Sequence, residues 1–403
     1  MDVVFLSPAW PPEMARFAVA LAHQGARVHG VGDSGDLPAD LARSLSSYLR
    51  VPSMMREDDV IERVLNWLGG RVPDRIETNW EAVTLLAARL RGRLGVPGTS
   101  LDVALRYRDK DKMKAAVRAA GLPTAPAVRV TTLADAWRAA EHIGFPLVVK
   151  PVDGAGGADT HIVDSPGDLH GALRAMRHVP EVLVEAFVTG DELTYEAMLV
   201  DGEPVFESVS QYFPNALTAR RNAWISPIIF THAQPHGPAT ASGVHLGRAV
   251  NRALGLASGA THLEWFRAED GSATFGEAGA RTPGAAMIEL MCAAFDRDLC
   301  VDWARVALGH PVSSIGPPPF AAAAVFKRAE GEGHIVAHHG LEAFLQAFGD
   351  HVVDNALLPV GAPRRDWRQT FVGDGYLLLR HPDPAEALRI AKLAASRIQL
   401  VAR

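Results

Sequence analysis

The chain has 403 residues, a length that suggests two to four domains. Hydrophobic residues make up 48% and charged residues 21%, the balance of a soluble globular protein with a large core. Against 46 Asp+Glu stand 40 Lys+Arg, a formal charge of −6 with no basic stripe or arm, which excludes nucleic acid as an expected partner. The two cysteines, Cys292 and Cys300, lie in an apolar helical stretch and read as buried thiols rather than a disulfide framework or a metal motif. The opening Met1 to Pro8 lacks the basic region of a signal peptide, and no apolar run approaches about 18 residues. No membrane span is expected, and the cytoplasm is the expected location.

In chain order, Val3 to Leu6 reads as a buried strand, Met14 to His23 as a helix closed by Gly25, and Arg27 to Val31 as a second strand. A helical stripe follows at Val60, Ile61, Val64, Leu65 and Leu68, then a helix over Ala82 to Leu94. This alternation predicts a small parallel α/β domain over residues 1–107. It lacks a Gly-x-Gly-x-x-Gly after its first strand, which argues against a dinucleotide site there. Asp109 to Ala120 and Leu133 to Ile143 are helical, and Leu147 to Lys150 is an apolar strand. The glycine-rich stretch Asp153 to Ala158 leads into the strand-like triplet His161 to Val163. A helix near Asp168 to Arg177 and strands over Val182 to Val188 and Leu193 to Val200 come next. Asp201-Gly202 signals a hairpin into Pro204 to Ser210, and Gly243 to Leu254 is a helix. Past Pro311 the composition shifts, and a small α+β domain is expected over residues 316–403, ending in a helix over Pro384 to Ile398.

The most informative segment is Thr261 to Glu277. Asp270-Gly271 reads as a two-residue hairpin turn. Residues equidistant from it then face each other, Glu269 against Ser272, Glu264 against Glu277, and His262 against Gly279. Opposed Cβ atoms lie about 4.5–5.5 Å apart. Two carboxylates at that distance repel unless a cation sits between them, and two hard oxygen groups suit Mg²⁺, which takes its other ligands from water and phosphates. A solvated sheet face that tolerates both charges is the other reading.

The glycine-rich stretch is not a P-loop, because a strand rather than a helix follows it. Its glycines let backbone N–H groups approach phosphate oxygens, although an ordinary flexible hairpin has the same composition. Lys150 ends the strand just before it, and Lys110 sits in a helical first turn, where a cation opposes the macrodipole. The strand end Val184 to Val188 offers an apolar slot for a purine, and Glu192 an acceptor for ribose hydroxyls. Contacts to further substrates are sought in Ser7 to Pro12, Glu77 to Asn79, and Gln211 to Trp224, where Arg220 or Arg221 would pair a carboxylate or simply meet solvent.

Taken in order, these motifs resemble the ATP-grasp superfamily, in its carboxylate–amine ligase, L-amino-acid ligase and biotin-carboxylase-like branches. Arg108-Asp-Lys110 with Met113-Lys114 resembles the opening helix, Phe145 to Pro151 the phosphate-lysine strand, and Gly154-Ala-Gly-Gly157 the mobile loop. Val184 to Phe187 with Gly190-Asp-Glu192 resembles the adenine and ribose segment. His262-Leu-Glu264 and Gly276 to Gly284 resemble the metal hairpin with its following arginine. The resemblance implies an ATP-grasp core over residues 108–315 with a mobile lid at about 125–190, between the two flanking domains.

It further implies that Lys110 and Lys150 hold ATP phosphates beneath Gly154, Gly156 and Gly157. Glu185, Phe187 and Val188 would contact adenine, and Glu192 ribose. Glu264 and Glu277 would hold Mg²⁺, or Mn²⁺ in its place, and Arg281 would steady a substrate carboxylate. The implied activity is ADP-forming ligation of a small carboxylate, an amino acid first among candidates, to an amine through an acyl-phosphate. A biotin-carboxylase-like carboxylase and a non-catalytic ATP-binding regulator are the alternatives, and a homodimer is among the implied assemblies. Gly279 departs from the family's Glu-x-Asn-x-Arg pattern, which removes one metal ligand. Its cross-strand neighbour His262 would assist there or pack as a core histidine.

Overall fold

The computed structural model describes residues 1–154, 159–367 and 370–403. The N-terminal unit is a four-stranded parallel sheet in the order Leu45–Arg50, Arg27–Gly32, Asp2–Leu6, Arg75–Glu77. Alternation along Asp2–Leu6 decides its two faces. Val4 and Leu6 pack with Val31 against helices Glu57–Leu68 and Thr84–Leu94, while Val3 and Phe5 turn to Phe17 and Trp303. The parallel α/β reading of this region is what the structure contains. The strand Leu45–Arg50 and the helix Leu101–Arg108 have no counterpart in the sequence reading, being short and interrupted by polar or charged residues.

A second sheet, order Ala127–Val130, Val182–Ala186, Leu147–Pro151, His161–Val163, is antiparallel throughout. Helices Leu133–Ile143 and Pro166–Ala175 cover it with Ala136, Ala140, Leu169 and Ala172. The second helix begins two residues before its expected start because Ser165 caps it and Pro166 fills its first position.

The centre of the molecule is an antiparallel sheet of eight strands. Its order is Ala273–Gly279, Gly259–Arg267, Asp191–Val200, Glu203–Phe213, Ile228–Thr231, Ala321–Phe326, Tyr376–His381, Val352–Asn355. One face carries helix Ala241–Leu254. Gly243 and Gly247 bring it so close that an added Cβ would lie 2.0 Å from the Trp265 ring and 2.2 Å from that of Tyr195. The last three strands come from the tail beyond residue 316, and Ala321–Phe326 pairs with Ile228–Thr231 and so continues the central sheet. Only Glu330–Gly331, Ile335–His339 and Gln399–Ala402 make a small sheet within the tail. Among the described residues no helix is long and apolar enough to cross a membrane.

The metal-hairpin reading reaches the right pair by two offsetting departures. The turn is one residue longer than expected: Ala268 N–H donates to Ser272 O at 2.9 Å, so Glu269 does not face Ser272. Trp265 therefore faces Phe275, and Gly276 is an extra residue bulged out of the ladder. The bulge restores the register, and Glu264 faces Glu277 and His262 faces Gly279.

Candidate active site

Three elements from three parts of the chain meet over this hairpin. Helix Lys110–Ala119 is capped by Asp109, whose Oδ1 accepts from the N–H groups of Asp111 and Lys112, both at 3.1 Å. Its first residue, Lys110, is buried. Its Nζ lies 3.1 Å from Glu277 Oε1 and also donates to the Gly154 carbonyl. From the lid, Lys150 Nζ lies 2.7 Å from Glu185 Oε1 and 3.7 Å from Glu277 Oε2. Burial works against the Lys150 charge, but Glu185 and Glu277 outweigh it and raise its pKa. Lys110, Lys150, Gly154, Glu185 and Glu277 are thus gathered at one point. Gly156 and Gly157 lie outside the described residues.

Lys114, one turn beyond Lys110, belongs to the same cluster and was given no role by sequence reasoning. Its Nζ sits 3.0 Å from Glu185 Oε2 and 3.3 Å from Thr124 Oγ1. The i,i+4 spacing from Lys110 was the available signal. Burial lowers the Lys114 pKa more than Glu185 restores it, while the two lysines hold Glu185, against its burial, down at about 2. The Glu185 carboxylate is therefore spent on lysines. Residues 186–188 connect the lid strand to the central sheet. Phe187 and Val188 are half-buried there, and Phe187 N–H donates to Pro146 O at 3.1 Å.

The central sheet contributes a polar face. Glu192 and Glu196 alternate on one strand, and Glu196 pairs in register with His262, as Thr194 does with Glu264. His262 Nδ1 lies 3.0 Å from Glu196 Oε2, and its Nε2 3.6 Å from Glu264 Oε1. Burial opposes the imidazolium, but the two glutamates hold its pKa up at about 10. His262 is a buried histidine set between two carboxylates, and a protonated ring offers no lone pair to a metal. Glu192 accepts from Ala216 N–H at 2.6 Å, and burial together with Glu264 pushes its carboxyl up to about 8.

Arg281 meets a partner that the sequence did not point out. Its Nε and Nη2 both lie 2.7 Å from Glu81 Oε2, and Arg108 Nη1 takes Glu81 Oε1 at 2.6 Å. Burial raises the Glu81 pKa, but the two arginines override it and bring the group down to about 2. Glu81 lies just beyond the last parallel strand, so the N-terminal unit reaches into the site and orients the hairpin's arginine. Arg221 is exposed, and Arg220 is half-buried.

A metal site built from Glu264 and Glu277 has two facing carboxylates and no side-chain ligand at Gly279. Among the described residues no group of three or more His, Cys, Asp and Glu is arranged to hold an ion. The donor pair fits a hard cation completed by phosphate and water.

A lid sheet and a central antiparallel sheet that clasp a lysine–glutamate cluster between them are the architecture of the ATP-grasp fold, and this chain has that fold. Residues 109–201, which carry Lys110, Lys114, Lys150, Glu185 and Glu192, match the family described as "Carbamoyl-phosphate synthase L chain, ATP binding domain". The chain is 28% identical over 218 residues to the L-arginine-specific L-amino acid ligase of Bacillus subtilis, covering 52% of each chain. It is 27% identical over 274 residues to an alanine-anticapsin ligase of the same organism, covering 60% of this chain and 56% of that one. The chain thus spans about half the length of the curated relatives it matches. In solved structures, the L-amino acid ligase of Bacillus licheniformis superposes with a TM-score of 0.79 at 19% identity, covering 100% of this chain and 98% of that one. N5-carboxyaminoimidazole ribonucleotide synthetase from Thermotoga maritima gives 0.73 at 17%, covering 100% and 99%.

Proposed function

We propose that the protein is an ADP-forming ligase that activates a small carboxylate, an amino acid in the leading case, as an acyl-phosphate and joins it to an amine. The observation that carries this reading is the convergence of Lys110 and Lys150, from separate elements, on Glu277 beside Glu264. The names of the amino-acid ligases that the chain resembles support it.

In this reading Lys110 and Lys150 exchange their carboxylate partner for the β- and γ-phosphates of ATP. Ala186 to Val188 line the base and Glu192 takes the ribose. Glu264 and Glu277 hold Mg²⁺, or Mn²⁺ in its place; the ion, when bound, neutralises phosphate charge and templates the phosphates. Lys114 stays behind as the cation that keeps Glu185 ionised and Lys150 aimed. The substrate carboxylate, oriented by Arg281, attacks the γ-phosphorus as the bond to ADP breaks. The amine then attacks the acyl carbon, and phosphate leaves. No protein nucleophile is required, because positioning and charge neutralisation carry phosphoryl transfer. A homodimer in the cytoplasm is part of the same proposal.

Incubation with Mg-ATP, amino-acid pools and hydroxylamine tests this. ADP with a hydroxamate is the expected outcome. AMP with pyrophosphate contradicts the reaction class.

A further inference from the structure

Four arginines of this chain, two exposed and two partly buried, show how a guanidinium fork is closed. Arg27 presents its Nε–H and Nη2–H edge to Asp2, Arg248 to Glu207, Arg297 to Asp302 and Arg281 to Glu81. In each case a carboxylate closes the fork. Arg328 differs from these four. It is only 8% exposed, yet its Nε and Nη2 have no hydrogen-bond partner among the described residues.

The rest of the head is fixed. Nη1 donates to the carbonyls of Ala219 and Asn222, both at 2.8 Å, and the Trp367 ring lies 4.7 Å from the guanidinium carbon. Packing thus holds the group in place while the edge suited to an anion stays unspent. An unmet buried donor costs about 1–3 kcal/mol, more when charged, and an anion closing the fork would remove that cost.

Arg220 lies between those two carbonyls in sequence. It is half-buried and has no ion pair or hydrogen bond among the described residues. The carboxylate whose field it feels is Glu264 of the hairpin, and Arg328 feels Arg220 in turn. Arg328, held on the carbonyls of Ala219 and Asn222, thus stands against the short segment that carries Arg220, whereas Lys110 and Lys150 are engaged with Glu277.

We propose that Arg328 and Arg220 form a second carboxylate site, separate from Arg281, for the carboxylate that the amine-bearing substrate keeps. The acceptor is then an α-amino acid rather than a simple amine, and the product a dipeptide with a free C-terminus. This rests on the ligase reading above. A donor carboxylate is consumed on activation, whereas the acceptor's stays ionised from substrate to product, which suits a permanent pair of cations.

The product isolates this site, because the only α-carboxylate of a dipeptide is the acceptor's. Pools of dipeptides with neutral side chains and their C-terminal amides are titrated onto the full chain, with Mg²⁺ and a non-hydrolysable ATP analogue, by calorimetry. The acids bind more tightly than the amides by a factor on the order of a hundred, the scale of an unpaired buried charge. Arg328→Lys, which keeps the charge and removes the fork, and Arg220→Gln, at a less buried position, each shrink that ratio toward one. Equal binding of acid and amide by the wild-type chain, or binding of neither, overturns the proposal. So does a variant in which the ATP analogue weakens tenfold while the ratio stands, since the fork then serves phosphate. The hydroxamate assay reports separately on the ligase reading, so failure of one is distinguishable from failure of the other.

Discussion

Replacing Glu185 by glutamine removes the charge that two buried lysines share. Lys114 is 2% exposed and lies 3.0 Å from this carboxylate, and Lys150 lies 2.7 Å from it. Lys150 retains Glu277, whereas the ion-pair partner of Lys114 is lost. Leaving one member of a buried pair uncompensated costs about 3–5 kcal/mol. Lys114 has a way out, which is to fold without its proton. From an unfolded lysine pKa of about 10.4, each unit of pH below that value costs about 1.4 kcal/mol, or about 4–5 kcal/mol at pH 7 and about 2 kcal/mol at pH 9. The folded pKa of Lys114 in the variant lies further below the unfolded value, so the penalty is largest at low pH and fades as pH rises. Glu185→Gln is therefore expected to lose about 3–5 kcal/mol at pH 7 and about 2 kcal/mol at pH 9 relative to the wild type. Adding Lys114→Met recovers most of the loss. Urea unfolding at the two pH values measures the difference. A loss that is the same at both, or below about 1 kcal/mol at pH 7, refutes the shared-charge account.

His262, with its pKa held near 10, keeps its proton at neutral pH, and the stability it contributes is full below about pH 6.5 and lost as pH rises through about 10. Its ring NMR signals should not shift between pH 6 and pH 8.5; a midpoint near pH 6.5 contradicts the Glu196–His262–Glu264 arrangement. Glu192, raised to about 8, acts in the same direction, because the folded state binds the extra proton between the unfolded carboxylate range and about pH 8. Stability of the ligand-free protein attributable to Glu192 falls over that window, so Glu192→Gln should gain on the wild type as pH rises from 5 to 8. A difference that is flat with pH excludes that role. Gly247→Ala improves helix propensity by about 1 kcal/mol, yet it should destabilise the protein because its Cβ meets the Tyr195 ring at 2.2 Å. A raised melting temperature contradicts the close approach. Glu277→Gln should cut ADP release by roughly 10²–10³-fold, the range seen when one preorganised charge-stabilising group is removed. Normal turnover removes Glu277 from the site.

Much of this was legible because it is local. The Asp201-Gly202 turn and the apolar strand ending at Lys150 follow from periodicity and turn residues, as does the hairpin that carries Glu264 and Glu277. What escaped depends on distant parts of the chain. Glu81 is 200 residues from Arg281, and nothing near either names the other. Lys114 looks like one more charge on a polar helix until Glu185 arrives from the lid. The carboxylate partner of His262, Glu196, lies on a neighbouring strand that its own segment does not point to. The tail's composition shift is real, but composition does not say which sheet a strand joins, and Ala321–Phe326 joins the central one. The Gly276 bulge left no mark beyond a glycine inside a strand, and it decided the register all the same.

The central claim is that a substrate carboxylate attacks the γ-phosphate of ATP. The most direct measurement uses amino acids labelled with ¹⁸O in the carboxylate, with mass spectrometry of the phosphate released. The account predicts one ¹⁸O in inorganic phosphate for each peptide bond formed, with ADP as the other product. Unlabelled phosphate, or label carried into AMP, contradicts it.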